Sequence, residues 1–257
     1  VMKYKRRKRF GQHFLHEPEI INQIISAIAP LEGQKFVEIG AGDAAITEPL
    51  SDLATTLHAI EIDRNLTNLL RKKFIGRKNI TIHESDVLNF DFAELGYDLR
   101  LVGNLPYNIS TPLLFYLLPF CDHIMDAHFM LQKEVADRIC ATHGSKNYGR
   151  LTIMLGCRME TARLFDVSPE SFDPPPKVMS TVVRMRMYPK GTFEIRDDET
   201  MEVIVKQAFS KRRKTLRNAL SNCLTCAEIE AIGIDSSQRP EQVAITDWIA
   251  LANSVSG

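Results

Sequence analysis

The run Asn104-Leu105-Pro106-Tyr107, at the end of the apolar stretch 99–103, gathers a side-chain amide, a backbone carbonyl and an aromatic ring at one strand end. All three can face a flat base. The exocyclic amine of adenine is a poor nucleophile because its lone pair is delocalised into the ring. Two acceptors on its hydrogens, Asn104 Oδ1 and the Leu105 carbonyl, would draw the nitrogen toward tetrahedral geometry and free that pair, with Tyr107 as the stacking surface. Pro106 fixes one φ and has no N–H, so the turn keeps its shape as a base enters. The same residue types also end ordinary strands, so the reading depends on what else converges on the turn.

Three further strand ends do. Lys35-Phe36-Val37-Glu38-Ile39 reads as a buried strand that runs into Gly40-Ala41-Gly42 and then a helical segment over 45–54, the opening unit of a nucleotide-binding α/β fold. About twenty residues on, a second strand over 57–63 carries Glu61-Ile62-Asp63 at its tip, where a carboxylate can accept both hydroxyls of a ribose. The strand over 80–84 ends in Ser85-Asp86-Val87. Asp86 there can accept from an adenine amino group, with Val87 against the ring, or it can simply cap the following turn.

The elements that must position these groups follow from the periodicity. Ile20, Ile21, Ile24, Ile25 and Ile28 give a 3.6-residue repeat over 18–29, with Pro30 beyond it. Helices are expected over 65–74, 111–118, 132–141 and 151–157, and a fifth strand over 127–131. The segment 143–150 is a polar, basic loop. Phe172-Asp173-Pro174-Pro175-Pro176-Lys177 is rigid and is expected not to pair in a sheet, with Phe172 placed to cover a pocket from above. The alternation over 178–187 suggests a late strand at a sheet edge. From 188 onward the pattern is helical, with Phe209, Leu216, Leu220 and Leu224 as the inner stripe of one helix. The expected organisation is an α/β domain over 1–187, with helices on both faces of its sheet, and a small all-helical domain over 188–257.

Composition narrows the function class. The chain has 257 residues, 44% of them hydrophobic, enough for one large core and a smaller unit. No stretch approaches the roughly 18 apolar residues of a membrane span, and the basic start lacks the apolar segment of a signal peptide, so a cytoplasmic protein without a membrane partner is expected. The five cysteines are odd in number and scattered, as in a reduced protein. Cys223-Leu-Thr-Cys226 has no second pair, and His13 and His16 lack a nearby Cys or carboxylate set, so no metal is expected. Net charge is zero, yet Lys3, Lys5, Arg6, Arg7, Lys8 and Arg9 crowd the start and Lys206, Lys211, Arg212, Arg213, Lys214 and Arg217 crowd a later segment. Two basic clusters on a neutral chain mean a polarised surface suited to nucleic acid. Arg212, Arg213 and Lys214, with Lys146 and Arg150 of the polar loop, are the candidate grips on phosphates. Each cluster alone is also compatible with a solvated face.

Val37-Glu38-Ile39-Gly40-Ala41-Gly42, Glu61-Ile62-Asp63, Asp86 and Asn104-Leu105-Pro106-Tyr107-Asn108-Ile109-Ser110 together resemble the ribosomal RNA adenine N6,N6-dimethyltransferases, in their bacterial small-subunit type. The resemblance covers nearly the whole chain, including Arg9-Phe10-Gly11-Gln12, Tyr148-Gly149-Arg150-Leu151, Pro174-Pro175-Pro176-Lys177-Val178 and Arg212-Arg213-Lys214-Thr215. It implies a class I, Rossmann-like methyltransferase sheet and S-adenosyl-L-methionine as cofactor. It implies a monomer that dimethylates two adjacent adenosines in a hairpin near the 3′ end of 16S rRNA and takes part in small-subunit assembly. Carried over by position, it puts His13 and Leu15 at the methionine end of the cofactor beside Gly40 and Gly42. Glu61 and Ile62 fall at the ribose, Asp86 and Val87 at the adenine, and Asn104 between cofactor and target amine. Leu105 and Tyr107 complete the catalytic turn, and Tyr107 and Phe172 the substrate wall. Transfer is then direct and in line, with no covalent enzyme intermediate.

The chain departs from the family pattern in two places. His13 stands where most members have Asn, and Ala41 and Ala44 stand where many have Pro and Gly; Ala44 is small enough that the loop is expected to keep its shape. A nicotinamide oxidoreductase would share the Gly loop and the ribose acid but leaves the Asn104 turn and both basic clusters unexplained. Leu105 and the Arg212 segment favour the small-subunit type over the large-subunit resistance type. A protein that acts mainly as an assembly factor is the remaining alternative.

Overall fold

A computed structural model describes residues 12–255. Its main sheet has seven strands in the order β4 (Ile80–Glu84), β3 (Thr56–Glu61), β2 (Lys35–Ile39), β5 (Leu99–Asn104), β6 (Ile124–Gln132), β9 (Ser180–Met187) and β7 (Met159–Val167). From β4 to β6 all neighbours are parallel, and β9 returns antiparallel to β6. Helices flank it, as in Rossmann-like methyltransferases. The chain builds outward from β2 through β3 to β4, then jumps back to lay β5 on the other side of β2. That reversal leaves a crevice at the carboxyl ends of β2 and β5, where such sheets hold ligands.

The two strands that border the crevice lie unusually close. A Cβ on Gly103 would sit 2.5 Å from the Ile39 carbonyl oxygen, so only glycine lets β5 approach β2 there. On the other side β5 is fixed by Arg100, whose guanidinium donates to both carboxylate oxygens of its register partner Asp126, at 2.9 and 2.8 Å. The same guanidinium donates to the Ile28 carbonyl and to Gln34 Oε1, both at 2.7 Å. Arg100 therefore ties β5 and β6 to the end of the helix Pro18–Ile28, where carbonyls lack intrahelical partners. That helix buries Ile24 and Ile28 in a core with Phe36, Leu57, Val102, Met130 and Val182 from the sheet.

Three expectations about the elements change. The strand over 180–187 lies inside the sheet, and the edge is β7, which periodicity does not announce because most of its residues are only partly buried. Phe172 and Asp173, expected to stay unpaired, form β8 (Phe172–Asp173), antiparallel to β1 (Phe14–Leu15). The prolines lack N–H groups, but the two residues before them do not. The expected single stripe is divided between a helix Asp198–Ser210 and a separate short helix Leu216–Ala219, because the first ends at Lys211.

The single domain cut at 187/188 also changes. Among the described residues, 12–136 and 161–187 form one compact unit, and 137–160 with 188–255 form the second. The segment 137–160 is drawn into the second unit by Tyr148, which is 1% exposed and donates its hydroxyl to the Val243 carbonyl at 2.8 Å. Gly156 helps, since Ile245 packs where its Cβ would be. Around them Phe209, Trp248, Ile204 and Leu251 make a core belonging to that unit.

Candidate active site

The strand-end residues picked out by their spacing line one cavity of about 200 Å³. Its wall takes His13 and Leu15 from the N-terminal segment and Gly40 and Gly42 from the turn after β2. It takes Glu61 and Ile62 from the end of β3, Asp86 and Val87 from beyond β4, and Asn104, Leu105 and Tyr107 from the end of β5. Gly40 and Gly42 have φ of +74° and +56°, a left-handed backbone that glycine adopts without strain. Ala44 follows at φ +76°, an L side chain held in the left-handed region.

Glu61 is oriented by its own backbone surroundings. Oε2 accepts from Gly42 N at 3.0 Å and Oε1 from Asp63 N at 2.9 Å. Burial raises its pKa, and these two N–H bonds oppose that rise. Asp86 Oδ1 caps the turn Val87–Asn89 by accepting from Leu88 N, and the residue also lines the cavity. Ile62 is 45% exposed, an apolar surface beside the acid suited to a flat ring.

At the end of β5, Asn104 donates Nδ2 to the His13 carbonyl at 2.9 Å. That bond fixes which end of the carboxamide is the donor, so Oδ1 is held as an acceptor. Leu105 N donates to the Met130 carbonyl, and the Pro106 carbonyl accepts from both Ile109 N and Ser110 Oγ, which closes the turn into the next helix. Tyr107 shares a 2.8 Å hydrogen bond with Ser180 Oγ and is half-buried, which raises its pKa. Its ring stacks on the His13 imidazole, with centroids 5.4 Å apart and planes at 28°. The His13 contact to the Pro174 carbonyl, 2.7 Å, makes Nδ1 the protonated nitrogen, because a carbonyl only accepts. Nε2 is then the remaining acceptor of the neutral ring.

Phe172 does not take its expected place. It is 2% exposed, packs in the core with Leu15, Ile24 and Val182, and is absent from the cavity wall, because its strand pairing with Leu15 turns it inward. The candidate RNA grips lie in the second unit. Lys146, Arg213 and Lys214 are exposed, whereas Arg150 pairs with Glu202 and Arg212 donates to the Lys146 carbonyl at 2.7 Å. The basic cluster over 3–9 lies outside the described residues. Among the described residues no cluster of three or more His, Cys, Asp or Glu side chains could hold a metal ion, and no helix is long and apolar enough to cross a membrane.

Among the wall residues to which sequence reasoning gave no role, Glu38 stands out. Glu38 is 2% exposed in the middle of β2 and reaches the cavity, and Oε2 has no hydrogen-bond partner among the described residues. Its pKa is pushed up to about 8, by burial first, with the charges of Glu61 and Asp43 adding to the rise. A lone acid in an otherwise apolar parallel strand was the available signal.

The family model described as ribosomal RNA adenine dimethylase matches residues 3–256. Ribosomal RNA small subunit methyltransferase A of Legionella pneumophila (strain Corby) is 48% identical over 255 residues, which is 99% of this chain and 100% of that protein. The protein of the same name from Hydrogenovibrio crunogenus (strain DSM 25203 / XCL-2) is 49% identical and covers 98% of this chain and 97% of its own. Among solved structures, a dimethyladenosine transferase from Plasmodium falciparum has a TM-score of 0.82 at 26% identity, covering 93% of this chain and 96% of that one.

Proposed function

The chain belongs to the ribosomal RNA adenine dimethylase family, and we propose that it dimethylates N6 of two adjacent adenosines in a hairpin near the 3′ end of 16S rRNA, with S-adenosyl-L-methionine as methyl donor. The observation that carries this reading is the Asn104 carboxamide, held by its bond to the His13 carbonyl with Oδ1 as acceptor in the same cavity as Glu61 and Asp86. The cavity wall fits the cofactor. Glu61 is pre-oriented to accept ribose hydroxyls, Asp86 to accept from an adenine amine between Ile62 and Val87, and Glu38 presents an unpartnered buried carboxyl oxygen suited to a cation. His13 and Leu15 fall to the methionine end beside Gly40 and Gly42.

Bound S-adenosylmethionine supplies a methyl group made electrophilic by its sulfonium. The protein's own work is to hold the amine in line and to polarise it. Asn104 Oδ1 and the Leu105 carbonyl accept the two N6 hydrogens, which localises the nitrogen lone pair, and Tyr107 supports the base. Because N6 becomes acidic only as the new bond forms, positioning and polarisation suffice and no strong general base is required. Lys146, Arg150, Arg212, Arg213 and Lys214 hold rRNA phosphates, and the protein works in the cytoplasm as a monomer during assembly of the small subunit. The test is to incubate purified protein and labelled cofactor with unmethylated small subunits and, in a parallel reaction, with unmethylated large subunits, and to map the product bases. Label on two adjacent adenosines near the 3′ end of 16S rRNA is expected; label on large-subunit rRNA instead would transfer the protein to the resistance-type activity.

A further inference from the structure

Two carboxylates lie in one buried wall, and only one of them is satisfied. Glu61 has a backbone N–H on each oxygen. Glu38, one strand away, is 2% exposed and leaves Oε2 unpartnered. Charges acting on Glu38 come from Glu61 at the end of β3 and Asp43 in the loop after β2, while Thr47 at the start of the helix Thr47–Leu53 offers its hydroxyl and its backbone N–H, which oppose the rise only in part. The other ionisable side chains of the cavity wall are His13, Asp86 and Tyr107. A buried carboxylate with one oxygen lacking a donor, close to two other acids, is a poor place for a negative charge until a cation arrives.

S-adenosylmethionine is such a cation. Its sulfonium and ammonium outweigh its carboxylate by one charge, whereas the demethylated product is a neutral zwitterion. We propose that Glu38 is the proton-exchanging counter-charge of this site: it is a neutral acid before the cofactor enters and a carboxylate afterwards. Its O–H bond breaks, the electron pair stays on the carboxylate, and the proton leaves to solvent in exchange for one net positive charge. Cofactor capture is then coupled to proton release, and the site favours the methyl donor over its own product. The inference rests on the proposed use of S-adenosylmethionine and adds to it the regulation of that same site.

A carboxyl poised in this way is consistent with the direction of its titration, raised to about 8. Around neutral pH most of the acid is still protonated, so binding the cation releases a large fraction of one proton. The same linkage makes cofactor affinity climb with pH, by up to about tenfold per unit, while product affinity stays flatter.

Titration calorimetry on the full chain tests this without reference to turnover. With S-adenosylmethionine as titrant at about pH 7, measurements in phosphate and in Tris read the protons released per ligand bound from the difference in apparent enthalpy. The wild-type protein is expected to release on the order of half to one proton, and Glu38→Gln close to none. The ligand's own titration is common to both proteins and cancels. Glu61→Gln removes one of the charges that raise Glu38 and is expected to lower the release without abolishing it. S-adenosylhomocysteine, the neutral product, is expected to release markedly less from the wild type. Cofactor binding without proton release by the wild type, or undiminished release by Glu38→Gln, overturns the inference and leaves the proposed function standing. Failure to bind S-adenosylmethionine in any buffer overturns both.

Discussion

With Nδ2 donated to the His13 carbonyl, Asn104 can be shortened to Ala without opening the strand, since β5 pairs through its backbone. Asn104→Ala is therefore expected to leave cofactor affinity nearly intact while slowing methyl transfer by about 10²–10³, the usual loss when one polarising group is removed. Single-turnover rates beside a binding isotherm check this, and equal loss in both would make Asn104 a structural residue. Ala44 gives a second residue-scale prediction. Its left-handed φ of +76° is a strain of about 1–2 kcal/mol for an L side chain. Ala44→Gly relieves that strain, loses a buried methyl of about 0.8 kcal/mol and adds about 0.5–1 kcal/mol of chain entropy. The sum is expected within about 1 kcal/mol of zero. Ala59, equally buried but in an ordinary strand conformation, has no strain to relieve. Ala59→Gly is expected to destabilise by about 1–2 kcal/mol, so denaturant midpoints of the two variants should separate. The site residues were legible because each marks a strand end by type: glycine for the turn, acids at two tips, amide and ring at the fourth. Glu38 and the His13 to Tyr107 stack were not legible, since one lies within a strand and the other joins residues far apart in sequence.

The strands of the parallel half were readable because their apolar runs are short, continuous and bounded by turn residues. β7 and β8 were not, because one is a half-wet edge and the other two residues long, and pairing rather than composition defines them. Among these elements β5 depends most on a single side chain. Arg100 and Asp126 are 6% and 8% exposed, so Arg100→Ala leaves a carboxylate buried without its partner. A loss of about 3–5 kcal/mol is expected from equilibrium unfolding. Replacing both residues with apolar ones of similar volume is expected to recover much of it. The β3 and β4 pair supplies the pH dependence. His58 Nδ1 and His83 Nε2 lie 2.9 Å apart, and both side chains have lowered pKa values, His58 through burial and the neighbouring His83 and Lys35 charges, His83 through burial. Neutral rings are thus favoured by the fold. Their contribution is full above the unfolded value of 6.5 and is lost as pH falls below it through the lowered folded values. Denaturation followed from neutral to mildly acid pH is expected to show that decline, and the double substitution of His58 and His83 with Gln is expected to flatten it.

At the scale of the whole molecule, two compact units carry chemically different surfaces. The acid-lined cavity is built within the first, while Lys146, Arg213 and Lys214 stand exposed on the second. Replacing those three with Ala is expected to weaken binding to small ribosomal subunits and to lower the salt slope by roughly 0.7–0.9 for each phosphate no longer neutralised. Cofactor affinity is expected to stay unchanged. Co-sedimentation across a salt series checks this, and an unaltered slope would return these residues to a solvated face. The approximate boundary of the helical unit was visible in the change of periodicity near 188, but the contribution of 137–160 was not, since helices joined across the sequence look local until their packing is seen.

The hydrogen bond between His13 and Pro174 joins residues 161 positions apart, and Asn104 leans on the same His13. On a translating ribosome that distance becomes a delay. At about 5–20 residues per second, the imidazole emerges roughly 8–30 s before the carbonyl that fixes its proton. A nascent chain that has already formed β2 to β5 therefore carries the glycine turn and Glu61 but not a finished wall. The Asn104 turn acquires its final support only after the proline segment leaves the exit tunnel.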